Sequence, residues 1–323
     1  MRYFLQRFAQ LLIVFGLVSF GVLLVMRIGS NSPEELAIKL YGGRPLSPDE
    51  LTEAISRYHL DTNYFVQYFY WLKGLVFDFD LGQSVANSRA VADLLKPRVW
   101  TTVLLGLYAN VFGMLIAIPV AVRQAYKRDG RFDKAAGLMT FVGVGVPAIV
   151  LGVLLQLLFT VRLGWFPLIG DKIYPWDDLG QHVRNFFLPT LTLTVPVAAI
   201  FARLLRAEMV LTLQSDFITV ASAKGVSPAR VLWRHALRNS LFSIVTAVGT
   251  NLGALLGSAV VVETLFDLDG LGSQLVVSVL SSDLFTVQSF VAIIVLLVVS
   301  VNLLVDLAYA LIDPRIRQMR SLG

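Results

Sequence analysis

The side chains in this chain best suited to chemistry crowd into one polar segment. Asp216 is followed by Ala221, Ala223, Lys224 and Gly225, and then by Arg230, Arg234, His235 and Arg238. Arg230, Arg234 and Arg238 recur every four residues, so on a helix they share one face, while Val231, Leu232 and His235 share another. Ala221, Ser222, Ala223 and Gly225 are small enough for a second surface to come close. Charged and small side chains in this pattern suit ion pairing and close docking. Asp216 is placed to cap a helix over 217–224, which Gly225 can end in the left-handed conformation. Ser227 followed by Pro228 opens a second helix. The spacing therefore predicts a helix–turn–helix lying at a membrane face. Two uses fit it: a docking surface for another protein, or an amphipathic connector whose arginines meet anionic headgroups.

Long apolar runs must position this island. The chain is 56% hydrophobic and 15% charged, against about 25% charged in soluble domains. Six stretches reach the roughly 20 apolar residues that cross a bilayer: Phe8–Met26, Thr101–Val122, Ala135–Val161, Phe186–Leu205, Leu241–Val262 and Val287–Leu311. The fourth holds Pro189 and Pro196, which membrane helices tolerate, with a kink expected. The expected fold is an all-α polytopic membrane protein with six transmembrane helices. Lysine and arginine in the short loops give its orientation. The loops 1–7, 123–134, 203–240 and the tail after 313 hold 16 of the 27 basic residues. Both termini are thus expected in the cytoplasm, and the net charge of +5 reads as topology rather than nucleic-acid affinity. The first span reads as an uncleaved anchor, since no small-x-small cleavage site follows it. Residues 27–100 then form an extracytoplasmic region. Within it Ser47-Pro48-Asp49-Glu50 is a capping box, and residues 67–72 are aromatic enough to lie along the membrane interface.

Several chemistries are excluded or displaced. The chain has no cysteine and only three scattered histidines, so thiolate sites are excluded and a histidine metal cluster is not expected. No Ser/His, His/Glu or paired-aspartate constellation falls within the spans, which counts against a membrane-embedded enzyme. A phosphate-cradling loop requires Gly-x-x-x-x-Gly-Lys-Ser/Thr, and none of the lysines follows a glycine. Repeated halves and broken midplane helices bearing ionisable groups, the marks of an ion-coupled secondary transporter, are not evident. Gly249, Gly253 and Gly257 recur every four residues and mark helix packing or a contact with a partner subunit. Gln156, Asn251, Asn302 and Asn110 are polar groups within spans; they either face a pathway or bond neighbouring helices. Asp306, near the end of the sixth span, is expected to act structurally beside Arg315 and Arg317. Residues 271–280 are too short to span and could re-enter the outer mouth.

The island's residues also carry a resemblance. Val220-Ala221-Ser222-Ala223-Lys224-Gly225-Val226-Ser227, followed by residues 233–241, resembles the "EAA" loop of binding-protein-dependent ABC importer permeases, closest to the B-type subunit of the dipeptide/oligopeptide/nickel group. Three further stretches agree in order and spacing: 80–84 with 97–102, 262–266 with 270–272, and Asn302, Asp306, Tyr309 with 313–317. The sequence departs from the family at Thr219, where the name-giving glutamate would align, at Leu241-Phe242, which lacks a frequent proline, and at Asp269, which replaces one.

The resemblance implies a type I importer architecture: an anchor (8–26) and extracytoplasmic region over 1–97, a transmembrane domain over 98–312 with its coupling loop at 206–240, and a cytoplasmic tail at 313–323. It implies that Asp216, Ala221, Ala223, Lys224, Gly225, Arg234, His235 and Arg238 contact an ATPase subunit. The implied partners are a second homologous permease, two ATP-binding-cassette ATPases and an extracytoplasmic solute-binding protein, in a bacterial or archaeal inner membrane. ATP and magnesium would sit on the ATPases and no cofactor on this chain. Di- and oligopeptides are the expected solutes, with nickel, haem or glutathione as alternatives.

Overall fold

The computed structural model describes residues 2–27, 32–41, 43–84, 89–168, 173–281 and 283–312. The side chain of Asp306 and the tail 313–323 lie outside the described residues. The chain divides into two units, Met1–Thr101 with Asp269–Ser300, and Thr102–Leu268 with Val301–Gly323.

The first unit begins with α1 (Arg2–Arg27) and continues through α2 (Pro33–Leu40), α3 (Pro48–Arg57) and α4 (Tyr64–Lys73), which runs on as a π-helical turn over Gly74–Asp78. The expected capping box starts α3: the Ser47 hydroxyl accepts from Glu50 N at 3.3 Å, and the Glu50 carboxylate accepts from Ser47 N at 2.8 Å. Ser32 and Asn63 cap α2 and α4 with single bonds of the same kind. Leu36, Ala37, Leu40, Ala54 and Leu60 gather into one apolar cluster with Phe285, whose ring stacks on Tyr58 at 3.9 Å. A two-residue antiparallel ribbon, β1 (Gln83–Ser84) with β2 (Arg89–Ala90), is a small addition to the all-helical expectation. Ser84 donates to Asp283 at 2.5 Å, ahead of the last long helix.

The second unit is the helical body. It takes in most of α5 (Val91–Tyr126), then α6 (Arg131–Gly145), α7 (Ala148–Leu155) with a π-helical run over Gln156–Arg162, α8 (Leu179–Leu213), α9 (Asp216–Ala223), α10 (Pro228–Arg230) and α11 (Leu237–Leu265). The remaining helices are α12 (Leu271–Leu280) and α13 (Leu284–Ile312). At the centre, α8 packs against α6, α7 and α11. Its buried Phe201, Leu205 and Met209 belong to one large apolar core. Glycines allow the closest approaches: a Cβ at Gly113 would lie 2.6 Å from Val197 Cγ1, and one at Gly152 2.5 Å from Leu265 Cδ2. Elsewhere the long helices leave Leu115, Leu138, Met139, Phe141 and Val161 exposed. So many exposed large apolar side chains call for a lipid or protein partner.

Helical segments coincide with all six expected apolar stretches, but one expectation needs correction. Residues 135–161 are not a single continuous helix. They are two helices bent by 101° about Val146-Pro147. A proline pushes its predecessor out of the α region. Val146 accordingly adopts φ −79, ψ 121, and the ladder stops there. Pro189 and Pro196, by contrast, sit inside one continuous helix. By length and composition, Val91–Tyr126, Leu179–Leu213 and Phe285–Leu303 can each cross a membrane among the described residues, and the bent pair makes a fourth if it forms one span.

Candidate coupling surface

The polar island lies between α8 and α11. Helix α8 ends at Leu213, and Gln214 and Ser215 turn the chain. Asp216 is not the cap. Ser215 holds the N-cap position with φ −78, ψ 151, and its hydroxyl donates back to Thr212 O at 2.5 Å. Asp216 is the first helical residue, where its carboxylate faces the partial positive charge of the free N–H groups. Helix α9 ends as expected at Gly225, which has φ +78. Val226 N bonds Ala221 O at 3.2 Å and Gly225 N bonds Ser222 O at 3.0 Å, the paired closure of a left-handed C-terminus.

The second helix of the expected helix–turn–helix does not stand alone. Ser227 and Pro228 open it as expected, but it passes through a π-helical segment, Val231–Ala236, directly into α11. Leu237 keeps φ −57, ψ −48, so no break separates island from span. A push on this surface therefore bears on the end of a long helix. Segments of this kind often accompany functional sites.

Burial divides the island in two. Ile218, Val231, Leu232, Ala236 and Leu237 are buried in the core of the second unit, packed with Val226 and Leu213. Thr212 and Ser240 share a buried hydroxyl contact at 3.1 Å. Ala221 and His235 are half-buried. Asp216, Ala223, Lys224, Gly225, Arg230, Arg234 and Arg238 are exposed, and so are the large side chains of Phe217, Val220 and Trp233. The surface thus combines small residues, three arginines and three uncovered apolar side chains on a packed floor.

One brace beneath it was not anticipated. Arg206, about two turns before the end of α8, grips Asp133 at the start of α6 through Nε–Oδ1 and Nη2–Oδ2, both 2.6 Å. The carboxylate also accepts from Asp129 N at 3.0 Å and Gln124 Nε2 at 3.1 Å. The Arg206 guanidinium holds the Asp133 carboxyl down to about 2, with the Asp129 N–H assisting against burial. Asp133 in turn raises Arg206. The signal available was a lone acid, apart from the exposed Asp129, inside a loop dense in lysine and arginine.

The remaining candidates separate by environment. Gln156 donates Nε2 to Leu265 O at 3.0 Å, tying α7 to the end of α11. Asn251 is half-buried, and its Nδ2 has no hydrogen-bond partner among the described residues. Asn302 is half-buried. Gly249 is buried and Gly253 half-buried, while Gly257 is exposed with open space around it. Glu263, fully buried near the end of α11, accepts from the Thr102 hydroxyl at 2.6 Å. Residues 80–84 and 262–266, singled out above by motif, hold two such buried anchors, Ser84 and Glu263.

Residues 109–318 match the family described as binding-protein-dependent transport system inner membrane component. A Brucella abortus (strain 2308) protein named as a peptide transport system permease protein is 36% identical over 313 residues, covering 97% of this chain and 98% of that protein. The glutathione transport system permease protein of Pectobacterium atrosepticum is 35% identical over 321 residues, covering 98% and 99%. The dipeptide transport system permease protein of Alkalihalophilus pseudofirmus is 32% identical over 295 residues, covering 85% and 88%. Among solved structures, an inward-facing conformation of the MetNI methionine ABC transporter matches with a TM-score of 0.56 at 20% identity, covering 68% of this chain and 96% of that one.

Proposed function

This chain belongs to the binding-protein-dependent transport system inner membrane components, and from that premise we propose how it works. It is a multi-pass permease subunit of an ABC importer. In our reading the island over 216–240 is the coupling surface, and an ATP-binding-cassette ATPase seats on it. Ala221, Ala223 and Gly225 form the contact floor. Asp216, Lys224, Arg234, His235 and Arg238 meet charged and polar groups of the ATPase. ATP and magnesium stay on two such ATPase subunits, and this chain binds no cofactor of its own. Closure of the ATPase pair moves the island, and the unbroken path from Pro228 into α11 carries the movement into the membrane.

The observation that carries this reading is the coincidence of exposed small, basic and apolar side chains on a buried floor that continues into a long helix. The same reading takes six spans, both termini cytoplasmic, and the division into 1–97, 98–312 and a tail at 313–323. A second homologous permease completes the pathway, and an extracytoplasmic solute-binding protein delivers the solute to the inner membrane. Gly257, the most open of the three glycines, suits the contact between permeases, with Gly253 beside it, while the buried Gly249 serves packing within the chain. Asn251 and Asn302 remain pathway candidates. Gln156 is better employed as the tie to Leu265. The names of the relatives support short peptides or peptide-like solutes as cargo.

Co-purification with the neighbouring ATPase, followed by uptake of a labelled dipeptide into proteoliposomes, tests the reading. Gly225→Arg should retain membrane insertion but lose the ATPase and ATP-driven uptake. A complex that forms and transports normally with Arg at 225 overturns it.

A further inference from the structure

In the first unit, the chain after α3 does not stay at the end of α1 but runs back along it. At the C-terminal end of α1 the Arg27 guanidinium donates to Thr62 O and Leu60 O, both at 3.0 Å. Two turns back, Phe20 stacks on Phe65 at 5.3 Å, and Ser19 shares a hydrogen bond of 2.8 Å with the Tyr68 hydroxyl. Further back still, Phe15 packs with Trp71, Leu72 and Leu75. The contact moves from residue 27 to residue 15 of α1 as the later segment advances from 60 to 75. Helix α4 is therefore antiparallel to α1 and follows it for about 18 Å, at 1.5 Å per residue.

The way out is marked as clearly. Asp80 N closes the π-helical turn onto Gly74 O at 3.0 Å. Ser289, inside α13, donates to Leu81 O at 2.7 Å, and Ser84 donates to Asp283, the residue before α13. Leu75, at the turn, also packs on Ala292 and Val295. Ser289, Ala292 and Val295 lie inside Phe285–Leu303, which is long and apolar enough to cross a membrane. Phe15 lies near the middle of the apolar stretch 8–26. Two apolar helices thus index the depth of one turn, and both put it within the bilayer. An apolar run of about 10–14 residues is too short to span but suits a re-entrant path.

The side chains sort as such a path requires. Phe65 and Phe69, one turn apart on α4, and Val76 and Phe77 at the turn are 53–75% exposed. Leu17 and Leu24, about one turn to either side of Phe20 on α1, are exposed too, so the apolar surface continues from one helix to the other. The three charged residues of the segment, Lys73, Asp78 and Asp80, line a half-open cavity with Arg57 and His59, and Phe65, Phe69 and Phe77 are not part of that lining. Charges at membrane depth are kept to such polar cavities, and irregular backbone is tolerated there where protein covers and bonds it.

We infer that residues 64–84 form a re-entrant hairpin. It enters the bilayer beside α1, turns at Gly74–Asp80 and leaves along α13, with Phe65, Phe69 and Phe77 against lipid acyl chains. The absence of charge on that face and its continuity with exposed α1 favour lipid over a second protein chain. The inference rests on the reading of α1 as a span and goes beyond it, because it puts part of the loop 27–100 inside the membrane instead of along its surface.

The chain has no cysteine, so single cysteines can carry a nitroxide label without background. Phe69→Cys and Phe77→Cys report the hairpin, Leu17→Cys reports α1, and Glu53→Cys reports the exposed side of α3. The full chain, assembled with its accompanying subunits, is placed in nanodiscs of phosphatidylcholine and phosphatidylglycerol. Power saturation compares each label's collisions with oxygen, which concentrates in lipid, and with a nickel chelate, which stays in water. Labels at 69 and 77 should favour oxygen severalfold, as at 17, whereas the label at 53 should favour nickel. Labels at 69 and 77 that behave like 53, with 17 still in lipid, overturn the hairpin and leave α1 a span. Labels shielded from both reagents mean that protein covers the face, and overturn the lipid contact. A label at 17 that favours nickel strikes the span reading, and the hairpin with it. Val76→Cys, also exposed, replaces either hairpin variant that folds poorly.

Discussion

Arg206 and Asp133 form a bidentate pair in which the acid is 5% exposed and the base 32%. The pair locks the end of α8, which leads into the island, to the start of α6. Breaking it by removing one partner leaves the other without its match. Arg206→Ala should therefore cost about 1–3 kcal/mol and loosen the base of the island. Arg206→Lys, a point charge without the planar fork, should recover only part. Thermal unfolding in detergent gives the stability, and ATP hydrolysis uncoupled from uptake reports the loosening.

The same pair sets a dependence on acid. Asp133 titrates at about 2 in the folded chain against 3.8 for an unpaired group. A depressed carboxyl stabilises the fold fully above its unfolded value, and the contribution disappears as pH falls through the folded value. Stability from this pair should be flat from neutral pH to about 5 and decline between about 4 and 2. Unfolding midpoints compared across that range should fall more steeply for wild type than for Arg206→Ala. Equal slopes would mean the pair contributes nothing.

Gly225 separates backbone strain from docking. With φ +78 and open space around it, Gly225→Ala meets no neighbour and costs only about 1 kcal/mol for the left-handed backbone. Gly225→Asn should cost less, since asparagine visits this region. Both should stay close to wild type in assembly. Gly225→Arg carries the same strain plus a bulky cation on the floor. It should lose uptake far beyond what the strain explains, at unchanged insertion, as measured by fluorescence-detected gel filtration beside transport.

Much of this arrangement was legible because single residues carry it. Ser47 with Glu50 and the glycine at 225 announce helix ends by local rules, and the apolar runs announce the long helices. What escaped involves choices between local and tertiary forces. Val146-Pro147 breaks a run that composition alone reads as one span, whereas Pro189 and Pro196 do not break α8, which α6, α7 and α11 enclose. Ser227-Pro228 signals a helix start correctly, but nothing local says that the helix continues into the next span. Asp133 and Arg206 are 73 positions apart, and no periodicity links them.

The arginine face should act through several weak contacts. Arg234 and Arg238 are exposed, and an exposed ion pair contributes about 0.2–1 kcal/mol. Either single alanine variant should scarcely change ATPase association. The double variant should weaken it about fivefold and flatten its salt dependence, since screening acts on the charges removed. Association measured at low and high salt distinguishes this from the reading in which the arginines meet lipid headgroups. In that case the double variant would alter partition into anionic vesicles and leave ATPase affinity unchanged.

The glycines make opposite predictions at two positions on different helices. At Gly113 an added Cβ meets Val197 Cγ1 at 2.6 Å, and Val197 lies in the packed core between α5 and α8. Gly113→Ala must displace a branched side chain with little freedom, an overpacking cost of about 1–3 kcal/mol. Its effect should appear in the isolated chain as a lower unfolding midpoint. At Gly257 nothing lies within 4 Å, so Gly257→Leu should leave the isolated chain unaffected. If α11 presents that glycine to the second permease, leucine there should instead reduce recovery of the assembled pair. Unfolding of the single chain and pull-down of the pair, measured on the same two variants, should give opposite orders of severity. A Gly257→Leu chain that assembles as well as wild type would remove α11 from that contact.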